Sequence, residues 1–256
     1  MASTVVFFHA HPDDEAIFTG GTMRLLADAG HRVVLLVATG GEAGEPGDAL
    51  ATESLADRRR AETEAAAALL GVDRIVHLGG EDSGVDGANR NGFCRVKPGV
   101  GAALAEARLD HAGIEPDALV IYDGDGIYGH PDHVAVHEVG HALGGRLGVS
   151  HVYESTVDRE YLHFVESHLV VEAGLPEWPL DLGLAASNLG RPTVLIDTEI
   201  DIQPVLEVKR AAMAAHGSQI PASSSALQLP SARFADVYGL EWYVRHGPPG
   251  PLEALR

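Results

Sequence analysis

Two short segments concentrate groups able to do hydrolytic chemistry. In the first, His11, Asp13, Asp14 and Glu15 place one imidazole and three carboxylates within five residues, directly after an apolar run that includes Val5 to Phe8. Pro12 fixes the chain where it turns. One or two of these acids would serve as a helix N-cap and as charges at the positive end of the helix dipole, but capping does not account for four polar groups. The second segment, Tyr128-Gly129-His130-Pro131-Asp132-His133, follows another apolar run, Val120-Ile121-Tyr122. In an open α/β sheet, ligands gather at the carboxyl ends of strands, which is where both segments fall. If His11, Asp14 and His133 converge, they form a site of two histidines and one carboxylate with an open position for water. That is the pattern of a catalytic zinc, or of non-haem iron. Asp13 and His130 are then left beside the ion as an acid/base pair.

A rival motif lies in the same helix. His137-Glu138-Val139-Gly140-His141 fits HExxH, in which the two histidines bind zinc and the Glu is the general base of a peptidase. Its metzincin extension fails at Leu147, although Gly144 fits. The gluzincin form needs a later Glu, for which Glu160 and Glu166 are candidates. His133, His137 and His141 form an i, i+4, i+8 stripe on one helix face, about 6 Å apart per turn, so one ion cannot take all three.

The elements that must position these groups alternate short β-branched runs with longer stretches rich in Ala, Leu and charge, the signature of βα units around a parallel sheet. Strands are expected at Thr4–His9, Arg32–Thr39, Arg74–Leu78, Ala118–Tyr122, His151–Glu154 and Thr193–Asp197. Helices are expected at Glu15–Ala29, Ser54–Leu70 (closed by Gly71), Gly99–Ala112, Pro131–Leu147, Arg159–Glu172 and Ile202–His216. Gly40–Leu50, Gly79–Pro98 and Ala173–Pro192 read as loops long enough to form a functional rim, with a shorter Ser-rich one at Pro221–Pro230. The expected fold is a single α/β domain over 1–256, Rossmann-like, with a mainly parallel sheet, helices on both faces, and a C-terminal segment from about Thr193 packed on the core. No GxGxxG follows the first strand, so no dinucleotide is expected.

The 256 residues carry 18 Lys+Arg against 37 Asp+Glu, a formal net charge of −19, which disfavours nucleic acid and anionic membranes as partners. The single Cys94 excludes an intramolecular disulfide and Cys-based zinc fingers. The apolar run at the start stops at His9 and no later run approaches a membrane span, so a cytoplasmic location is expected. His9 reads as a core or supporting group, Trp178 and Tyr153 as packing, and Cys94 as an incidental thiol.

The two His-Pro-Asp segments together resemble the LmbE/PIG-L metal-dependent N-deacetylases. That family includes N-acetylglucosaminyl-phosphatidylinositol de-N-acetylase and the deacetylases and amidases of the mycothiol and bacillithiol pathways. Weaker marks agree in order: Thr39-Gly40-Gly41-Glu42-Ala43-Gly44, Arg59 and Glu62, Asp82-Ser83-Gly84, and Lys209-Arg210-Ala211-Ala212 leading to His216-Gly217-Ser218-Gln219. The resemblance covers about Val5 to Gln219. It implies an LmbE-like fold, with His11, Asp14 and His133 as metal ligands and Asp13 as general base. It implies that His130, tuned by Asp132, stabilises the oxyanion or protonates the leaving amine, and that Tyr128 reaches the substrate carbonyl. Arg59 and Asp82 match positions that hold the sugar, and His216 one that reaches the site. The implied reaction is zinc-dependent hydrolysis of an N-acetyl amide on a glucosamine-type sugar or glycoconjugate, with Fe2+ as the other candidate ion. An amide is a poor electrophile, so a cation that polarises the carbonyl and acidifies water addresses both parts of the barrier. An amidase acting on a larger sugar conjugate and the HExxH peptidase are the alternatives, and the oligomeric state stays open.

Overall fold

The computed structural model describes residues 2–45, 54–165 and 189–255. A seven-stranded sheet runs through it: β1 (Thr4–His9), β2 (Arg32–Thr39), β3 (Arg74–Gly80), β4 (Ala118–Tyr122), β5 (His151–Thr156), β6 (Thr198–Asp201) and β7 (Leu240–His246). The strand order is β3-β2-β1-β4-β5-β7-β6. The first five are parallel, while β7 runs antiparallel to β5 and to β6. The order reverses between β1 and β4, whose carboxyl ends carry the two His-Pro-Asp segments.

Period-2 alternation splits the apolar strands into two cores. Val5, Phe7, Val33 and Leu35 face α2 (Gly20–Asp28), α3 (Leu55–Leu70), and two C-terminal helices placed below. Val6, Phe8, Val34 and Leu36 face α4 (Pro98–His111) and α6 (Pro131–Leu147). With both faces covered, β1 and β2 read as unbroken apolar runs, as buried parallel strands do. The ends of the main helices follow local chemistry. The Ser54 side chain accepts the Asp57 N–H at the start of α3, and Gly71 closes it in the left-handed region. Pro131 opens α6, where it costs no hydrogen bond, and Gly148 ends it.

Four expectations need correction. Glu15–Ala29 is not one helix: α1 (Asp14–Phe18) and α2 are separated at Thr19. The break has a cause in the distant chain, because buried Glu241 accepts the N–H groups of Gly21 and Thr22, each at 2.8 Å, and so supplies α2 with its own N-terminus. Thr193–Asp197 is not a strand: Thr193–Leu195 is a 3₁₀ turn whose Val194 and Leu195 are exposed, and Thr193 N–H is taken by Glu160 at 2.7 Å. The strand lies just beyond, at β6. Ile202–His216 begins as a 3₁₀ turn (Gln203–Val205) before the helix proper. The C-terminal segment does not merely pack on the core, since β6 and β7 extend the sheet itself. Helix continues at 159–165; the rest of the expected Arg159–Glu172 helix, most of the Ala173–Pro192 loop with Trp178, and the end of Gly40–Leu50 lie outside the described residues. After α5 (Gly126–Gly129), a short kinked turn, and α6 come α7 (Leu206–Ala215), α8 (Ser225–Gln228) and α9 (Ser231–Tyr238). α7 and α9 complete the first core.

Glu241 also takes Lys209 Nζ of α7 at 2.7 Å and the Tyr243 hydroxyl at 3.2 Å, so one buried carboxylate joins α2, α7 and β7. Removing one partner of a buried pair leaves an uncompensated charge, worth about 3–5 kcal/mol. Glu241→Gln is therefore expected to lower unfolding free energy by roughly that amount in urea denaturation with an unchanged slope. A loss below about 1 kcal/mol would show that Glu241 does not clamp these elements.

Candidate active site

β1 and β4 are hydrogen-bonded neighbours, with Val5 opposite Ala118 and Phe7 opposite Val120, so the loops that leave them meet. Asp14 Oδ2 lies 3.3 Å from His11 Nδ1 and 3.3 Å from His133 Nε2. His133 is fully buried, and neither of its ring nitrogens has a hydrogen-bond partner. A buried imidazole with two unmet polar atoms is costly unless something absent from the protein itself satisfies it. A divalent cation between these three side chains fits that requirement and the donor set. Burial pushes the Asp14 carboxyl up, but the adjacent His133 and His11 more than offset this and hold it well below the usual carboxylate range.

His11 has two occupied sides. Its Nδ1 faces Asp14, while Nε2 lies 3.3 Å from Asp132 Oδ2 and 3.6 Å from Asp82 Oδ1. A proton held on Nε2 by Asp132 leaves the Nδ1 lone pair free for a cation, the carboxylate–histidine arrangement common around metals. Asp132 is held in turn by Ser83, whose N–H donates at 2.9 Å and whose hydroxyl donates to the other oxygen. Gly92 lies against Ser83, where a Cβ would come within 2.3 Å of the hydroxyl. The Asp132 carboxylate thus serves His11. What His130 receives from Asp132 is its backbone N–H, accepted on Nδ1 at 3.2 Å.

That bond fixes the His130 tautomer: Nδ1 accepts, so the ring carries its proton on Nε2. His130 lies close enough to His11 and His133 to complete a three-histidine group with ligand atoms within 4.8 Å. Its proton makes it a donor rather than a ligand. Burial and the charges of His11 and His133 pull its pKa down to about 4, which favours the neutral ring over the imidazolium. Tyr128 stands edge-on to His133, with ring centroids 5.0 Å apart, and burial raises its pKa, so it remains a phenol.

Asp13 is the more exposed of the paired acids, and its backbone has φ 102°, a rare conformation for a residue with a side chain. Burial pushes its pKa up to about 7, against the pull of Arg59, with Asp14 adding to the rise. Its backbone N–H donates to Glu15 Oε2 at 3.0 Å, and Glu15 Oε1 meets His216 Nε2 at 2.6 Å. His216 is fully buried, so it sits beneath the cleft and reaches it through Glu15. Arg59 is also buried. Its guanidinium donates to the carbonyls of Gly41 (2.7 Å) and Pro12 and lies 3.3 Å from Asp13 Oδ2. Gly41, with φ 66°, could carry no side chain here, since a Cβ would lie 2.3 Å from Arg59. Asp82 accepts the N–H groups of Gly84 (2.9 Å) and Ala43 (3.2 Å) beside His11, and it too is buried. His9 is buried between the Tyr122 hydroxyl and Thr19, the supporting role expected of it.

His137 and His141 belong to a separate group. Their carboxylate is Glu154 on β5, not the expected Glu160, which instead holds Thr193. Glu166 lies outside the described residues, and Glu138 is exposed. Glu154 and a further histidine, His246, were missed because strands far apart in sequence bring them to α6.

The family model described as PIG-L, GlcNAc-PI de-N-acetylase, matches residues 6–143. The chain belongs to the PIG-L family. Membership makes it an amide hydrolase of the deacetylase type. A 1D-myo-inositol 2-acetamido-2-deoxy-alpha-D-glucopyranoside deacetylase of Thermobifida fusca is 31% identical, covering 95% of this chain and 93% of its own length. The enzyme of the same name from Mycobacterium sp. strain KMS is 34% identical, covering 99% and 87%. Among solved structures, an N,N'-diacetylchitobiose deacetylase from Pyrococcus horikoshii aligns with TM-score 0.59 and 25% identity, over 95% of this chain and 84% of that one. Among the described residues of this PIG-L chain, no helix is long and apolar enough to cross a membrane.

In this PIG-L protein Asp132→Asn keeps an acceptor for Ser83 but weakens the hold on the His11 proton. Affinity for Zn2+ at the His11–Asp14–His133 position is expected to fall about 10–100-fold, measured by competition with a chromophoric chelator. Unchanged affinity would detach Asp132 from His11.

Proposed function

We propose that the chain hydrolyses the N-acetyl amide of a 2-acetamido-2-deoxyglucoside, releasing acetate and a primary amine, with a divalent ion, zinc, held by His11, Asp14 and His133. The observation that carries this reading is the pair of unpartnered nitrogens on fully buried His133, with Nε2 3.3 Å from the Asp14 oxygen that also faces His11. When bound, such an ion polarises the amide carbonyl and acidifies a water molecule.

Asp13 is the base. Its carboxylate stands beside the ligand pair, more open to the cleft than that of Asp14, and it accepts the proton of the attacking water. The strained backbone, braced by Arg59 and by the Glu15–His216 pair, fixes the direction in which that carboxylate points. As the carbonyl carbon becomes tetrahedral, its oxygen gathers negative charge. His130 Nε2–H and the Tyr128 hydroxyl are the donors in place to receive it. The tautomer set by Asp132 N–H supports this hydrogen-bonding part for His130, and the proton taken by Asp13 then passes to the departing nitrogen. Asp82 and Arg59, with the loops they anchor, define the wall of the sugar subsite. The names of the relatives support a glucosaminide with a polar aglycone of the inositol type as substrate.

A panel of 2-acetamido-2-deoxy-glucosyl inositol, N,N'-diacetylchitobiose and free N-acetylglucosamine tests the reaction by release of acetate and primary amine. The Zn2+-loaded chain is expected to prefer the inositol glycoside. Asp13→Asn is expected to keep its metal while kcat falls roughly 10²–10⁴-fold. Release of no acetate from any of the three by metal-replete protein would overturn the proposal, and near-normal turnover by Asp13→Asn would remove Asp13 from it.

A further inference from the structure

α6 carries a second cluster beyond the candidate active site. Three imidazoles converge on one carboxylate oxygen: Glu154 Oε1 lies 2.8 Å from His141 Nε2, 2.9 Å from His246 Nε2 and 3.4 Å from His137 Nδ1. The groups come from three rigid elements, α6, β5 and β7. Register explains the convergence. Glu154 pairs with Val244 and Val152 with His246, so His246 is the diagonal neighbour of Glu154 on the same face of the sheet. The arrangement also grades from inside to outside. The Glu154 side chain is 7% exposed, while those of His141 and His246 are 34% and 48% exposed and open to solvent.

We infer that Glu154, His141 and His246 form a second metal site, for a borderline divalent transition ion such as Zn2+. Two imidazoles and a carboxylate suit this class, whereas Mg2+ and Ca2+ require oxygen ligands. In a tetrahedral zinc shell, ligand atoms stand about 3.3 Å apart, and each imidazole nitrogen, at 2.8 and 2.9 Å from Oε1, stands slightly inside that spacing from the carboxylate. Their exposure leaves the remaining coordination positions to water. His137 is a positioning residue: its Nδ1–H donates to the Tyr122 carbonyl at 3.0 Å, and its ring packs edge-on against His141 with centroids 4.6 Å apart. The site is separate from the first, because His141 lies two helical turns, about 12 Å, along α6 from His133.

Zn2+ titration of the apo full-length chain against a chromophoric chelator decides the matter, and it does so independently of the proposed reaction. The wild type is expected to bind two ions and His133→Ala one. The His141→Ala/His246→Ala double variant is expected to bind one ion, with its deacetylation rate intact. His246→Gln retains a donor to Glu154 and the fold, yet its affinity at this site is expected to drop by more than the roughly 10–100-fold that loss of an outer partner costs. In the His133→Ala background, Zn2+ is expected to raise Tm, and the His141→Ala/His246→Ala changes to abolish that rise. A His133→Ala protein that binds no Zn2+, or a double variant that binds as many ions as the wild type, overturns the second site while leaving the first untouched. An ion retained by His133→Ala and lost only with His141 and His246 upholds it even if the first site fails.

Discussion

The pairing of β1 with β4 is the constraint on which the rest depends. β2 and β3 are laid down on one side of β1, and β4 and β5 on the other, so strand order reverses at this one pair of neighbours. The loops leaving two such strands diverge to opposite faces and open a crevice at their carboxyl ends, where ligands of open α/β sheets collect. His11 and Asp14 enter it from β1, and His133 enters from the first turn of α6 after β4. Residues more than a hundred positions apart thereby come within 3.3 Å of a shared oxygen. The local backbone reflects how tightly this is specified. The two non-glycine residues with positive φ among those described are Asp13 and Ile127, one in each of these loops. Ile127 is β-branched and strained at φ 63°; Asp123 receives its N–H and Gly190 donates to its carbonyl. Such conformations persist only where the surroundings over-determine them.

Much of this was legible in the sequence because the signals are local. β1, β2, β4 and α6 match their expected bounds residue for residue, since unbroken β-branched runs and a Pro-opened, Gly-closed helix need no tertiary context. His11, Asp13, Asp14, His130 and His133 announce themselves by type and spacing at strand ends. The failures share the opposite property. Thr19 breaks a helix because Glu241, some 220 residues away, caps the next one. β7 escaped because Leu240–His246 mixes a buried Glu241 with aromatic residues, and its apolar logic emerges only when Lys209 and α2 satisfy that carboxylate. Thr193–Asp197 misled because β-branched composition does not reveal that Val194 and Leu195 face solvent. That buried Arg59 contacts Asp13, and that buried His216 reaches it through Glu15, are tertiary facts that spacing does not carry.

The HExxH motif shows the same limit from the other side. Spacing alone made His137 and His141 a ligand pair and left the third ligand to be sought about twenty residues on. The sheet supplies Glu154 from the parallel strand β5 instead, with His246 from its antiparallel neighbour β7. Helical periodicity was correct that the stripe His133, His137, His141 faces one way, and correct that it cannot converge on one point.

Tyr122 marks where the stripe divides. As the last residue of β4 it stacks its ring on His133, with centroids 4.0 Å apart and planes within 5°, while its backbone carbonyl receives the His137 proton. Its hydroxyl accepts the Ala10 N–H at 3.0 Å and meets His9 at 2.9 Å, which ties the end of β4 to the end of β1. One residue therefore sets the height of His133 against Asp14 and the orientation of the ring beside His141. A stacked aromatic offers no lone pair to the buried His133 nitrogens, so it holds the ring without satisfying it. The unmet polarity stays directed at the cleft, where the proposed cation would resolve it.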